Sequence, residues 1–330
     1  MKITTANYPD FVANMQIKWR EGFERVPLKA KELYDVQYNE LYITDHSGIE
    51  NGGFARRKAE GDNYYKGNPV QNYRKTMTKY RVGEQEEITW EMRKYDRYKK
   101  MADTIKMLGE KVSQRMEIDL THRFTFGTAT TYTDMDGESV AIDTGDDLQL
   151  FYSAHKVPGS ATTYRNRIAN NPLFSRGGLE AAETLFATQM IDTSGGKIVV
   201  KPDTIVTSDD PNTVNTVLEI LNSTASPDGA HSGVANSYKS KYRHIELPYL
   251  ATDATGAYDS TKAKYWMLAS VAHTDAVCEI SEMPHMIAPA AGQNSEDFDN
   301  DDWRFKGSAA YGIEIVDPRW IVMSSGDATA

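Results

Sequence analysis

The stretch of the sequence that looks most like a catalytic motif is SVAIDTGDD, where Asp143, Thr144 and Gly145 directly follow an apolar run. A hydrolase of the aspartic type needs two carboxylates that share one proton, supplied by a second copy of the motif or by a symmetric dimer. The nearest second copy, DTSG at residues 192–195, follows a helical pattern instead of a strand. We therefore favour an acidic turn between strands and keep a hydrolase around Asp143 as the alternative.

Other motifs that could bind a metal ion or a phosphate are incomplete. The acidic runs DMDGES (134–139) and DFDNDD (297–302) lack the full ligand set of a calcium loop, so we interpret both as solvated turns, with adventitious cation binding as the alternative. The seven histidines show no pair at the spacing of zinc ligands. TSGGKI (193–198) lacks the glycine spacing and the hydroxyl of a phosphate loop. The sequence predicts no catalytic residue, no cofactor and no metal.

Composition and charge narrow the class of protein. The chain has 330 residues and a net charge of −10, divided unevenly: residues 1–130 carry 23 Lys and Arg against 19 Asp and Glu, and the remainder carries 14 against 28. A dedicated nucleic-acid binder would be strongly basic, so this class is disfavoured. No apolar run reaches the roughly 18 residues of a membrane span. The single cysteine, Cys278, cannot form an internal disulfide and is expected in the core.

Hydrophobic periodicity predicts both helices and strands. Five apolar residues share a helical spacing that predicts one long helix over residues 91–126: Met101, Ile105, Leu108, Val112 and Met116. Further helices are predicted as a short one within residues 1–45, one over about 177–192, and one that follows Asp209-Asp210-Pro211. Strands are predicted at KIVV, DTIVTS, KYWMLAS, AVCEIS, SAAYGIEIV and RWIVMS. The fold class is α+β, with helices and a mostly antiparallel sheet in more than one lobe.

Residues 46–88 are too polar and too rich in glycine to close a core of their own. The segment holds six glycines, yet the part from Tyr73 to Val82 has strand character. These features predict a long two-stranded hairpin that projects from the body. Because an isolated hairpin is marginally stable in water, it needs a surface to lie on, and a neighbouring subunit could supply that surface.

The order of these features resembles a known family. A polar hairpin segment precedes a long helix, and the chain continues through LFYSAHKV, YRNRIANNP, SRGGLEAAETLF and GGKIVVKPDTIVTSDDPNTV before it ends on WRFKGSAAYGIEIVDPRWIVMSSG. This succession resembles the major capsid protein of tailed bacteriophages, a fold also used by encapsulin shells. The resemblance covers nearly the whole chain and is clearest over residues 145–222 and 300–326.

The resemblance implies a layout of domains. It implies an N-terminal arm at 1–45, an extended loop with a β-hairpin at 46–90, a peripheral domain at 91–172 with the spine helix at 91–126, an axial domain at 173–299, and return strands at 300–330 that complete the peripheral domain. In this layout a final strand that returns to the peripheral domain ties the two domains together.

The resemblance also implies a function and a set of partners. The chain would be a non-enzymatic structural subunit of an icosahedral phage head, assembling with copies of itself into hexamers and pentamers around packaged double-stranded DNA. A separate scaffolding protein, a portal and a cement protein are the further expected partners, with assembly in the host cytoplasm and final residence in the virion. The alternatives are an encapsulin-like compartment, the hydrolase around Asp143, and a monomeric binding or adhesion module.

Contacts between subunits are predicted on the hairpin. Its basic and aromatic residues form the expected contact set: Arg56, Arg57, Lys58, Tyr64, Tyr65, Tyr73, Arg74, Lys75 and Tyr80. The basic front and the acidic back of the chain suggest surfaces of opposite sign that meet between copies, although simple solvation of both faces is an equal alternative.

Overall fold

A computed structural model of the chain describes residues 8–67, 69–95, 98–225, 235–288 and 302–328. Its helices are α1 (Tyr8–Arg25), α2 (Trp90–Lys94), α3 (Tyr98–Thr125), α4 (Arg176–Thr188) and α5 (Pro211–Asn222). Its strands are β1 (Asp35–Tyr38), β2 (Ile43–Glu50), β3 (Val70–Thr78), β4 (Tyr80–Ile88), β5 (Thr131–Thr133), β6 (Ser139–Ala141), β7 (His155–Lys156), β8 (Thr163–Tyr164), β9 (Thr204–Thr207), β10 (Arg243–Glu246), β11 (Trp266–Ala269), β12 (Ala276–Ile287), β13 (Trp303–Ile315) and β14 (Ile321–Ser324). None of the described helices is both long and apolar enough to cross a membrane.

The first large sheet carries the long helix. Its four strands have the order β1-β12-β13-β4. Strand β13 is antiparallel to both of its neighbours, whereas β1 is parallel to β12 at one edge. Helix α3 packs on this sheet, where its residues Val112, Met116 and Leu120 share one core with Tyr311 and Ile313 of β13. The helical spacing that predicted α3 therefore corresponds to its buried face.

Over the predicted helix at 91–126 the structure describes two helices, and residues 96–97 between them lie outside the described residues. Helix α2 ends at Lys94, and α3 begins at Tyr98 and spans 28 residues, about 42 Å at the usual rise. Thr89 caps α2 because its side chain accepts a hydrogen bond from the backbone N–H of Met92. The apolar spacing used for the prediction starts at Met101, inside α3, and so contains no information on where the helix begins.

The second large sheet has the order β10-β9-β11-β14, with α4 and α5 packed against it. Leu179 of α4, Val217 of α5 and Trp266 of β11 are all fully buried in the core that these elements share. Helix α5 begins as predicted, since Asp210 caps it by accepting a hydrogen bond from the backbone N–H of Thr213 at 3.0 Å. The α+β class is confirmed.

Other predicted segments differ from the structure or lie outside it. KIVV, residues 197–200, forms an isolated bridge to Ile191 instead of a strand, because Val199 is 66% exposed and the segment has no sheet to join. Residues 1–7 of the predicted arm lie outside the described residues. So do residues 226–234, in a loop rich in Ser, Gly and Asn, and residues 289–301, which include nearly all of the acidic run DFDNDD.

The predicted short helix of the arm is the 18-residue α1, which packs along α3. Met15 and Trp19 face α3 and are 6% and 5% exposed. The two helices cross with backbones in contact: a Cβ on Gly109 would lie 2.2 Å from the carbonyl oxygen of Trp19, and one on Gly22 would lie 1.9 Å from that of Lys106. Glycine is thus required on both sides of the crossing.

Strands β13 and β14 join the two sheets. A 3₁₀ turn, Pro318–Trp320, separates β13 at the centre of the first sheet from β14 at the edge of the second. Trp320 is 2% exposed and packs edge-on against Phe124 of α3, with ring centroids 6.2 Å apart. The turn at 318–320 therefore links the two large sheets and also packs against the long helix α3.

The buried carboxyl group of Glu117 predicts a pH dependence of stability. Burial raises its pKa to about 7, although it accepts a hydrogen bond from the backbone N–H of Ala30 at 2.9 Å. The folded state therefore retains a proton between pH 4.5 and about 7 that the unfolded state has lost, so stability falls as pH rises through this window. We expect Glu117→Gln, which mimics the protonated acid, to raise the free energy of unfolding at pH 8 by on the order of 2 kcal/mol and to leave it unchanged near pH 4.

This prediction is checked by denaturant unfolding of the unassembled subunit at both pH values. Glu24→Gln on α1 is the control, because it makes the same chemical change on an exposed side chain. An equal effect of Glu117→Gln at pH 4 and pH 8 would show that Glu117 does not titrate in this window.

Candidate intersubunit surface

The hairpin predicted within residues 46–88 consists of β2 and β3. The two strands pair antiparallel from Ile43 opposite Thr78 to Glu50 opposite Val70. The chain between them includes the segment 51–67, here called the tip segment. Strand β4 does not belong to the hairpin: it follows β3 after Lys79 alone and pairs with β13 in the first sheet. The hairpin is therefore shorter than predicted, and its second strand continues directly into the body.

The tip segment combines exposed aromatic rings with cations. All of residues 53–67 are exposed, and Phe54, Tyr64 and Tyr65 are exposed to 79%, 79% and 60%. The guanidinium of Arg56 lies 4.0 Å from the Tyr65 ring centroid, and the ammonium of Lys58 lies 4.5 Å from that of Tyr64. Large apolar side chains exposed together on a soluble protein are typical of an interaction surface.

Three residues of the predicted contact set are instead bound within the chain. Tyr73 is 4% exposed, and its hydroxyl donates to the carbonyl oxygen of Lys156 at 2.6 Å. Lys75 forms an ion pair with Asp143. The hydroxyl of Tyr80 donates to Asp119 at 3.2 Å. We leave Tyr73, Lys75 and Tyr80 out of the contact set because their polar atoms already have partners in the body.

The rest of the predicted set is exposed. Arg74 is on the hairpin itself, where its guanidinium pairs with Asp45 of β2 at 2.8 Å while its side chain stays 58% exposed. Arg56, Arg57, Lys58, Tyr64 and Tyr65 all belong to the tip segment.

Two carboxylates of the SVAIDTGDD motif, Asp143 and Asp146, are engaged in structural contacts. Besides the pairing of Asp143 with Lys75, Asp146 accepts hydrogen bonds from Thr144 at 2.6 Å and from His155 at 2.9 Å. Burial alone would raise the pKa of Asp146, but the His155 and Thr144 contacts lower it below its ordinary value. Asp143 and Asp146 therefore have separate partners, which does not match a dyad that shares a proton.

The first acidic run is a structural turn. Asp134 accepts hydrogen bonds from the backbone N–H groups of Asp136 and Glu138, both at 2.9 Å, which is the usual role of an aspartate in a turn. Arg115 of α3 pairs with Asp134 at 3.0 Å and with Asp136 at 2.8 Å. Within the described ranges, no group of three or more His, Cys, Asp or Glu is arranged to hold a metal ion.

A second exposed apolar patch was not found by sequence reasoning. Its four members lie between the end of β1 and the start of β2 and are 55–67% exposed: Tyr38, Leu41, Tyr42 and Ile43. Lys79 holds this bend in place, since its ammonium donates to the carbonyl oxygens of Asn39 and Leu41, both at 2.6 Å. The run YNELYI could have indicated this patch, because its apolar residues do not alternate with polar ones as they do in a half-buried strand.

Comparisons with known proteins concern the family and the fold. The family described as "Phage capsid protein" matches residues 74–324, which is more than half of the chain. No curated protein matches the sequence significantly. The mature capsid of bacteriophage PhiM1 is 12% identical, with a TM-score of 0.50, over 88% of this chain and 83% of that one. At this identity the likeness concerns the fold alone.

Two further solved structures are similar at lower scores. The capsid structure of the cyanophage P-SCSP1u is 11% identical, with a TM-score of 0.49, over 89% of this chain and 86% of that one. A virus-like particle from Pyrococcus furiosus is 12% identical, with a TM-score of 0.47, over 94% and 97%.

The family match sets one of the alternatives aside. The proteins of this family are structural and not enzymes, so the hydrolase around Asp143 is set aside. A capsid protein assembles with copies of itself and resides in the virion. The chain belongs to the phage capsid protein family and is a structural subunit of the shell.

Proposed function

We propose that the chain builds an icosahedral shell from hexamers and pentamers in which the tip segment of each copy contacts the neighbouring copy. The observation that carries the proposal is the contrast within the hairpin. Strand β3 is tied to the body through Tyr73 and Lys75, whereas residues 53–67 are exposed along their whole length. A segment with this exposure gains apolar burial only by meeting another molecule.

The exposed aromatic residues supply the affinity in this proposal. Burying one large apolar side chain contributes roughly 1.5–3 kcal/mol, so the three exposed rings of the tip segment are sufficient for a modest contact. Each subunit in a closed ring makes such a contact twice, once through its own tip segment and once under that of its neighbour. Closure then raises the effective concentration of every remaining contact and makes assembly cooperative.

The domain layout is part of the same proposal. Residues 1–45 act as the N-terminal arm, residues 91–172 with the return strands at 300–330 as the peripheral domain, and residues 173–299 as the axial domain. Two observations support a division into two lobes: α3 packs on the first large sheet, while α4 and α5 pack on the second. Two strands cross the proposed bounds, since β12 of the range 173–299 belongs to the first sheet and β14 of the range 300–330 belongs to the second.

The remaining partners follow from the role of a shell. We propose that a separate scaffolding protein, a portal and a cement protein join the subunit, that assembly takes place in the host cytoplasm, and that packaged double-stranded DNA meets the inner wall non-specifically. The acidic balance of the chain supports the last point, because a net charge of −10 disfavours tight adhesion of DNA to the wall.

Electron microscopy of the purified protein tests the proposal. Closed particles of uniform size with six-fold and five-fold capsomers are the expected result. Size-exclusion chromatography over a range of concentrations accompanies the images. A monodisperse 37 kDa monomer at every concentration, with or without a co-expressed scaffold, would overturn the proposal.

A further inference from the structure

Arg319 lies in the 3₁₀ turn between β13 and β14, with its side chain only 8% exposed. Asp317 fixes the position of this arginine from the same turn. Its Oδ1 atom accepts from the backbone N–H of Arg319 at 2.9 Å, and its Oδ2 atom accepts from Nε at 2.7 Å. The guanidinium is therefore pre-oriented by the body of the subunit before it meets any other segment.

The guanidinium of Arg319 also holds the base of the hairpin, next to the point where β2 and β3 separate. Its two terminal nitrogens donate to the two carboxylate oxygens of Glu50, at 3.2 and 2.9 Å, in a bidentate pair. One of them also donates to the carbonyl oxygen of Ile191 at 3.0 Å. The guanidinium carbon lies 5.5 Å from the ring centroid of Tyr73 on β3. Arg319 thus contacts both strands of the hairpin next to the point where their pairing ends, at Glu50 opposite Val70.

A second contact holds the start of the tip segment. The backbone N–H of Gly53 donates to Asp192 at 2.8 Å, and Asp192 also accepts from the backbone N–H groups of Ser194 and Gly196 in its own turn. A Cβ on Gly52 would lie 2.5 Å from the Thr193 hydroxyl, so the chain passes this turn in close contact. Beyond Gly53 every residue to position 67 is exposed.

The direction of the tip segment is consequently decided at its base. Glu50 is only 17% exposed, so removing one partner of this largely buried ion pair would leave the other charge uncompensated. A rotation of the hairpin away from the body would break both charge-assisted bonds to Glu50 at once. Lysine could not replace Arg319, because one ammonium cannot make the bidentate contact while also reaching the carbonyl of Ile191.

We propose that Arg319 is a positioning residue for assembly: through Glu50 it fixes the direction in which the tip segment leaves the body, so that the segment reaches the neighbouring copy. This inference rests on the proposed contact between the tip segment and a neighbour. The turn that contains Asp317 and Arg319 would then have two roles: it joins the two sheets, and it sets the direction of the tip segment.

The test measures the direction of the tip segment separately from assembly. Spin labels at Glu60→Cys, in the tip segment, and Tyr258→Cys, on the body, report a distance distribution in the unassembled subunit; the native Cys278 is buried and is not labelled. The variant is Glu50→Gln. The control is Asp45→Asn on the same strand, whose pair with Arg74 is exposed and lies within the hairpin.

The expected results separate the two proposals. We expect Glu50→Gln to widen the distance distribution and to lower the yield of closed particles about tenfold, because a misdirected segment loses effective concentration. Asp45→Asn should change neither. An unchanged distribution in Glu50→Gln would overturn the positioning role, whatever the yield. A widened distribution with full particle yield would instead support the positioning role and overturn the proposed contact of the tip segment.

A second variant separates a change in the direction of the tip segment from a general loss of stability. Glu50→Asp keeps the charge but shortens the side chain, so it should lose the bidentate geometry and widen the distribution by a smaller amount. Melting temperatures of both variants are measured alongside. A lowered melting temperature without a widened distribution would mean that the Arg319–Glu50 pair only stabilises the fold, and the proposal would fall.

Discussion

Replacing residues 54–66 with a Gly-Ser turn of about four residues should leave a folded subunit that no longer closes into shells. The exposed tip segment contributes little to the core, and a Cβ on Gly67 would lie 2.6 Å from the side chain of Asn51, so the ends to be joined are adjacent. We expect the melting temperature to change by less than about 4 °C and the yield of closed particles to fall by about a hundredfold or more. Thermal unfolding and electron microscopy provide the two measurements.

A variant of unchanged length tests whether the exposed aromatic rings make the contact between copies. Changing Phe54, Tyr64 and Tyr65 together to serine removes the exposed rings but keeps the chain, and should reproduce most of the loss of particles. Tyr258→Ser is the matched control, because Tyr258 is 71% exposed but lies outside the hairpin. Normal shells from the shortened protein would show that the contact between copies lies elsewhere, with the patch at Tyr38–Ile43 as the next candidate.

Gly109→Ala should destabilise the subunit by about 3 kcal/mol, even though alanine favours helices by about 1 kcal/mol over glycine. The added Cβ would lie 2.2 Å from the carbonyl oxygen of Trp19 and 2.9 Å from the backbone nitrogen of Phe23. Both atoms belong to the backbone of α1, so the clash is relieved only by moving the whole helix. That movement would also loosen Met15 and Trp19 from their core.

A second helical glycine provides a matched control for this effect. Gly177 lies in the first turn of α4, and a Cβ there would meet nothing within 4 Å. Gly177→Ala should therefore leave stability unchanged or raise it by up to about 1 kcal/mol. Denaturant unfolding of the unassembled subunits compares the two variants. If both alanines were equally well tolerated, α1 and α3 could not cross as closely as described.

Local patterns predicted the elements well because those patterns reflect burial. The apolar spacing from Met101 to Met116 marks the face of α3 that is no more than 3% exposed, and Asp210 with Pro211 marks the start of α5. The strands at DTIVTS, KYWMLAS, AVCEIS, SAAYGIEIV and RWIVMS all form. KIVV failed because a short apolar run becomes a strand only where a partner strand is available.

Long-range pairing and the partners of the tyrosines could not be read from the sequence. Nothing in β4 indicates that it pairs with β13, whose residues lie more than 200 positions away. A tyrosine has an apolar ring and a polar hydroxyl, so Tyr64 and Tyr73 look alike in sequence although one is 79% exposed and the other 4%. The Arg319–Glu50 pair was missed for the same reason, since its members are separated by most of the chain.

Because β13 lies inside the first sheet, the subunit can complete this sheet only after β13 has been synthesised. Until residues 303–315 have emerged from the ribosome, β4 lacks its sheet partner and the core under α3 stays open, although α1 and α3 were made long before. The tip segment is therefore synthesised well before Arg319, the residue that holds its base through Glu50 and that follows β13 in the chain. A nascent chain therefore cannot hold the base of the tip segment through the Arg319–Glu50 pair until residue 319 has been translated, and on the proposed contact between copies it cannot assemble correctly before that point.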